Sequence, residues 1–527
     1  MNGEITPGAM RNGTSASRPV YCDGGDESRM RTFGRRAREV ALLAGAGAIA
    51  IFFFYFAGEA FYGGFNSDDL MNLHGAWTRG PVRNVIDSFL FFLPSPTYRP
   101  VGAVLYDVVF LLTGFQPLPY HIVCWALLLA NLLLLYYWVT AITGKPGTAI
   151  LAALLLSYHG ELTNLYVWTG LCYDVLAFFF YYSAFVLYLY WPRRDGRIPR
   201  NGLLLWCALY ILALRSKEMA VSLPVVVLLY ELIFHPPRSR HALRHWITHE
   251  GLVPALGAII TLAFLIGRIG SPDSLIHNPA YRPHLSLRVY FDGISRYFWA
   301  IAYRPGPRFG MPLTLTVLGA WILLSIRSRV RLFAGLAFFA AILPVVFIWP
   351  RELDSIYVAL PPVALFGASL ITGAFRRIIM PKQLRPAFAF ALTLVLLWHV
   401  HRPYRIERSR IRVEADRLDL TLSDLTALKP LFKPGTRVLV LRDFFPPNSA
   451  YSILFAARIA ARTLQLDISR IDALPDPRLA SALRGFDVIL TVRDGHIRPM
   501  PKAEFDANCL EQIHTCTPLV TAPNPAR

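Results

Sequence analysis

Two adjacent carboxylates, Asp68 and Asp69, follow the first long apolar stretch of the chain, within Phe65-Asn66-Ser67-Asp68-Asp69-Leu70. At a bilayer boundary such groups must stay hydrated or find partners. The chemistry open to one of them is general-base work, taking a proton from a hydroxyl that then acts as a nucleophile. The plainer alternative is structural: Ser67-Asp68 would cap a helix beginning at Leu70. Which holds depends on what else the fold brings to the same place.

The elements that must do so are membrane helices. The 527 residues are 54% hydrophobic with a mean hydropathy of +0.42, and the apolar residues fall in long blocks. That is the composition of a polytopic membrane protein. The formal charge of +19 would suggest nucleic acid in a soluble chain. Here the Lys and Arg cluster in short loops between apolar stretches, where they set orientation, and nucleic acid is not an expected partner. Cys124, Cys172 and Cys207 lie in apolar stretches and read as packing, whereas Cys509 and Cys516 could pair in an oxidising compartment.

Residues 1–38 read as a disordered cytoplasmic segment. The first expected span, Val40–Ala57, follows Arg31, Arg35, Arg36 and Arg38 and so starts inside, as a signal anchor. Ten further apolar stretches lie at about 120–141, 147–165, 174–191, 202–215, 219–234, 252–268, 311–326, 331–349, 357–374 and 385–400. Placing the basic groups around Arg193, Arg238, Arg327 and Arg376 in the cytoplasm makes these alternate without conflict. The expectation is a mainly α transmembrane bundle of about eleven spans over residues 39–400, with the N-terminus inside and the C-terminus outside. It requires 99–114 and 285–303, which carry Asp107, Arg288, Asp292 and Arg296, to lie on the outer surface. The first outer loop, 58–119, would hold surface helices. After His401 the hydropathy drops, and residues 401–527 read as a small extracytoplasmic α/β domain able to fold alone. Its expected elements are a strand at Arg437-Val-Leu-Val-Leu, a helix at Ala450–Leu466, and a strand at Phe486–Val492 entering a turn at Asp494-Gly495.

This topology collects polar residues on one face. The first loop supplies Asp68, Asp69, His74, Tyr98 and Arg99; the region around 165–174 supplies His159, Glu161, Asn164 and Asp174. Arg215-Ser216-Lys217-Glu218 lies between two apolar stretches, and Trp349 to Tyr357 adds Arg351 and Tyr357. Carboxylates and cations from four separate segments suit a site at the membrane surface for an anionic, lipid-attached substrate. Each has a plainer reading: Arg99 as an interfacial arginine reaching headgroups, Lys217 and Glu218 as an internal ion pair. No tight metal-ligand spacing is present, although His/Asp clusters leave a divalent metal open.

These pieces resemble the GT-C membrane glycosyltransferases that use polyprenyl-phosphate sugars, in the branch of protein O-mannosyltransferases and aminoarabinose transferases. The resemblance spans about residues 40–375. It rests on the acidic pair, Tyr98-Arg99-Pro100-Val101 leading to Gly114-Phe115, His121 through Asn131, Tyr158-His159-Gly160-Glu161, Tyr173-Asp174, and Ser216-Lys217-Glu218 with Pro224. It implies Asp68 as the catalytic base, with Asp69 supporting it or helping to bind a metal. It also implies Asp174, near the lipid-phosphate pocket of the aminoarabinose transferases; with it, Tyr98, Arg99, His159, Glu161, Arg215, Lys217, Glu218, Arg351 and Tyr357, on the same expected face, are the candidate substrate-binding residues. The chain departs from the pattern: Asp-Asp stands where many members have Asp-Glu, and Tyr-Arg-Pro where mannosyltransferases have His-Pro-Pro. A trefoil-like lumenal domain and tetratricopeptide repeats are missing.

The expected activity is transfer of a sugar from a polyprenyl-phosphate donor to a hydroxyl acceptor in protein, lipid or glycan, with inversion at C1. The expected location is the outer face of a bacterial inner membrane, toward the periplasm, with membrane lipids and the lipid-linked donor as partners. The rival readings are a transporter or flippase, and a ligase or polymerase of lipid-linked glycans. Transporters carry paired repeats and polar residues near the midplane. Here the polar clusters sit at the ends of the apolar stretches.

Overall fold

The computed structural model describes residues 39–93 except 41, then 99–191, 199–237, 239–269, 282–302, 310–348, 351–377, 385–401, 404–445, 451–471 and 485–505. Tyr98, the N-terminal segment and the Cys509/Cys516 pair lie outside these residues.

Helix α1 covers Leu42–Tyr55. A run of helices then builds the first loop: α2 Ser67–Arg79, α3 Pro81–Phe89 and α4 Pro100–Thr113. Gly80, at φ +76°, turns the chain between α2 and α3 in a conformation that a residue with a Cβ rarely adopts. Prolines open α3, α4, α5 and α6, where the missing N–H costs nothing. The long apolar elements follow: α5 Pro117–Thr143, α6 Pro146–Ser157, α7 Thr163–Val167, α8 Cys172–Tyr190, α9 Arg200–Ser216 and α10 Leu223–Phe234. After α11 Arg240–Thr248 and α12 Leu252–Ile269 come α13 Leu287–Ile301, α14 Met311–Ser325, α15 Arg329–Val346, α16 Leu360–Arg377 and α17 Arg385–His401.

Each apolar stretch expected to be a span is thus helical. Four segments are long and apolar enough to cross a membrane among the described residues: Pro117–Thr143, Thr169–Tyr190, Arg329–Val346 and Leu353–Phe375. The bent pair Ala242–Thr248 and Leu252–Arg268, at 49°, makes a fifth if counted as one span. The chain is a multi-pass integral membrane protein. Its outward-facing surfaces fit hydrocarbon: Ile259, Leu262 and Ile266 on α12 and Val395 and Trp398 on α17 are exposed. Inside, α5, α8, α9, α15 and α16 share one aromatic-rich core that includes Trp138, Phe178, Tyr182, Phe185, Trp206 and Phe333.

The C-terminal part comprises α18 Tyr404–Ala427, β1 Arg437–Val440, α19 Tyr451–Ala461, β2 Asp467–Arg470, β3 Val488–Arg493, β4 His496–Pro499 and α20 Lys502–Phe505. The strands form one sheet in the order β2-β1-β3-β4. Strand β1 pairs parallel with β2 (Arg437↔Asp467) and with β3 (Val438↔Val488), and β3 pairs antiparallel with β4. Asp494 and Gly495, at φ 51° and 77°, make the two-residue hairpin turn. The expected helix over 450–466 is shorter. Arg462, at φ 56°, breaks it so that the chain can return as β2.

The core of this part is shared with the first loop. Leu418, Val438, Val440, Ile453, Ala457 and Leu490 belong to the same buried cluster as Phe65, Leu70, Leu73, Tyr106 and Tyr120 of the first loop. Asp424 on α18 ties the hairpin down by accepting from Ile497 N at 2.8 Å. The sheet-bearing part is therefore seated on α2 and α4 by shared apolar burial.

Candidate functional site

Helix α2 begins at Ser67, three residues before the expected start at Leu70. Asn66, not Ser67-Asp68, is its cap: the Asn66 side chain accepts from Asp69 N at 3.0 Å, and Asp69 Oδ2 accepts from Asn66 N at 2.8 Å. This reciprocal capping box occupies one oxygen of Asp69. The other accepts from the Tyr106 hydroxyl at 2.8 Å and the Thr169 hydroxyl at 2.7 Å. Asp69 is 0% exposed. Burial pushes its carboxyl up to about 6, against the lowering effect of these three donors and with a small further push from the Asp68 charge. Asp69 thus joins α2 to α4 and to the turn at Thr169–Leu171, and stands behind the cavity wall.

The capping box turns Asp68 the opposite way. Its side chain is exposed to a cavity of about 860 Å³. Asp68 Oδ1 accepts from the Tyr451 hydroxyl, on α19, at 3.0 Å. Gly170 lies directly behind it; a Cβ there would stand 3.0 Å from Asp68 Cβ and 3.1 Å from Asp69 Oδ1.

Arg99, Asp174, Lys217, Glu218 and Arg351 line the same cavity. The sequence places Lys217 beside Glu218, and an internal pair between them was one reading. The structure corrects it. Lys217 is in extended backbone (φ −158°, ψ 144°) between α9 and the short 3₁₀ turn Glu218–Ser222, so successive side chains diverge. Lys217 Nζ pairs with Asp174 Oδ1, in the first turn of α8. Glu218 instead receives two arginines: Arg99 Nη2 on Oε2 and Arg268 Nη2 on Oε1, each at 3.0 Å. Burial would raise the Glu218 carboxyl, but the two guanidinium charges outweigh it and hold it down to about 2. Arg99 also lies over the Tyr173 ring, 5.6 Å from its centroid, and the Tyr173 hydroxyl donates to Asn72 Oδ1 on α2.

The remaining sequence candidates point elsewhere. His159 Nε2 meets the Ile301 carbonyl at 3.2 Å, Arg215 donates to the Asp87 carbonyl at 2.6 Å, and Tyr357 stacks on Phe178 at 4.5 Å. None of these three is among the residues lining the cavity, and Glu161 is exposed outside it. Sequence reasoning missed Arg268, the second partner of Glu218, and Tyr451, the partner of Asp68. Arg268 ends an apolar stretch, where a basic residue ordinarily orients a helix, and Tyr451 belongs to a helix 383 positions after Asp68. Among the described residues no group of three or more His, Cys, Asp or Glu is placed to hold a metal ion.

Chemically, the cavity offers one accessible carboxylate, Asp68, and two cations, Arg99 and Lys217, held in place by the half-buried Glu218 and the buried Asp174. That set can take a proton and stabilise an anionic leaving group within one volume.

No family model and no curated protein matches the chain. Among solved structures it is similar in overall shape to ArnT from Cupriavidus metallidurans bound to undecaprenyl phosphate, with a TM-score of 0.47 and 13% identity over 85% of this chain and 97% of that one. The apo state of the same protein gives a TM-score of 0.44 and 12% identity over 86% of this chain and 97% of that one.

Proposed function

We propose that this chain is an integral membrane glycosyltransferase that moves a sugar from a polyprenyl-phosphate donor to a hydroxyl acceptor, with inversion at C1. The observation that carries the reading is the joint lining of one cavity by Asp68 and by Arg99, Lys217 and Arg351, residues spread over four segments of chain. In the reaction the acceptor oxygen forms a bond to C1 as the bond from C1 to the phosphate oxygen breaks. Asp68 takes the acceptor proton. The departing phosphate carries the electron pair away, and the cations offset its charge. The transition state is oxocarbenium-like, as in other displacements at an anomeric carbon.

Asp174 and Glu218 serve this site indirectly. They hold Lys217, Arg99 and Arg268 in position while no phosphate is bound, so less ordering is required at the moment of binding. The reading places the cavity on the outer face, with eleven crossings and the C-terminal part outside, as the basic loops imply.

The test is direct. Purified full-length protein is incubated with a panel of polyprenyl-phosphate sugars, and free polyprenyl phosphate is measured. Consumption of at least one donor, lost in Asp68→Asn, is the expected result; a protein that binds and consumes none of them is not this enzyme.

A further inference from the structure

Helix α19 belongs to the sheet-bearing C-terminal part, yet it supplies a face of the cavity. Tyr451 and Phe455 both line it. The Tyr451 hydroxyl donates to Asp68 Oδ1 at 3.0 Å, and the Phe455 ring packs against His74 of α2 with centroids 4.8 Å apart. Tyr451 keeps 38% of its surface exposed while making that bond. Among the described residues it is the one hydrogen-bond donor to the Asp68 side chain.

We propose that α19 forms the acceptor-side wall of the cavity and that Tyr451 is the positioning residue that aims Asp68. The inference rests on the glycosyltransferase reading above. In a displacement with inversion, the base marks the side of C1 from which the acceptor comes, and the cations mark the side from which the phosphate leaves. Helix α19 touches the base and contributes none of the cations that line the cavity. Its contribution is an aromatic pair, Tyr451 and Phe455, with ring centroids 5.9 Å apart. Holding Oδ1 with one donor fixes the carboxylate plane and leaves Oδ2 to receive the acceptor proton. An exposed carboxylate without that bond samples several rotamers, few of which aim at a bound hydroxyl. The nearby aromatic surface excludes water from the same side, so α19 would also decide which nucleophile reaches C1.

The experiment uses the full chain and a polyprenyl-phosphate sugar that it consumes, with glycerol added to water as a competing alcohol. Free sugar and glyceryl glycoside are quantified separately. Tyr451→Phe, which removes only the hydroxyl, is expected to lower kcat for both nucleophiles by about 3- to 10-fold while donor KM stays within about twofold. Phe455→Ala is expected to shift the product ratio toward water by about fivefold or more, again at constant donor KM. Lipid-phosphate affinity and melting temperature of each variant report on folding. The inference is overturned if Tyr451→Phe raises donor KM in step with its loss of rate, if its kcat stays at the wild-type value, or if Phe455→Ala leaves the ratio within about twofold. It is overturned too if neither the wild type nor Phe455→Ala forms a glycerol adduct. Failure of the wild type to consume any donor is a different outcome, which removes the function before the wall is in question.

Discussion

Lys217 and Asp174 form a buried ion pair that ties the linker after α9 to the first turn of α8, with side chains only 11% and 4% exposed. Removing one partner of such a pair leaves a charge with no compensation, at a cost of about 3–5 kcal/mol, whereas removing both is far milder. Lys217→Met should therefore lower the melting temperature sharply, and Lys217→Met combined with Asp174→Leu should recover most of it. Donor binding should stay lost in both, because the cation is gone. Recovery of donor affinity in the double variant would separate Lys217 from the phosphate site.

Asp68→Asn should fold as the wild type does, since Asp68 lies outside the capping box and Asn can still accept from Tyr451. Transfer should fall by about 10²- to 10⁴-fold, the usual contribution of a positioned base. Asp69→Ala should behave oppositely. It leaves the Asn66 N–H without its acceptor and the Tyr106 and Thr169 hydroxyls with only each other, 3.0 Å apart, and should cost stability by about 1–3 kcal/mol. Thermal melting of the two variants, set beside their rates, distinguishes the roles.

Glu218 makes stability depend on pH with a definite sign. Its folded value lies near 2, below the ordinary 4.5, so its contribution is complete above about pH 4.5 and is lost as pH falls toward 2. Glu218→Gln removes that dependence. The melting-temperature gap between wild type and Glu218→Gln should be widest above pH 5 and narrow steadily below 4.5. A gap that widens on acidification would contradict the pairing with Arg99 and Arg268.

Gly170 allows the turn at Thr169–Leu171 to lie against the acidic pair. Its Cβ position is about 3 Å from both Asp68 and Asp69, tight enough that the neighbours must give by a few tenths of an ångström. Gly170→Ala should lower kcat with little change in donor KM, and Gly170→Val should also lower the melting temperature. Steady-state kinetics on Gly170→Ala provide the check.

The charged residues lining the cavity were legible in the sequence because they sit in short polar motifs set against apolar stretches, where burial of charge needs a reason. Asp68, Arg99, Asp174, Lys217, Glu218 and Arg351 all meet there. Their pairings were not legible. Adjacency suggested that Lys217 and Glu218 answer each other, but extended backbone sends neighbouring side chains apart, to Asp174 on one side and to two arginines on the other. Sequence order also hid Tyr451, since no local pattern reports a contact closed by tertiary packing. The same holds for the C-terminal sheet. Its strands and hairpin turn could be read from Arg437-Val-Leu-Val and Asp494-Gly495, whereas the core it shares with α2 could not.

That shared core has a consequence for how the protein is made. The helix carrying Asp68 is packed by residues that leave the ribosome hundreds of positions later. Until the C-terminal part has docked, Leu70 and Leu73 lack part of their apolar cover and the cavity lacks one wall. A nascent or truncated chain would carry the apolar helices and the cations without the complete cavity. Maturation of the enzyme would be the last step of its biosynthesis, timed by docking rather than by insertion.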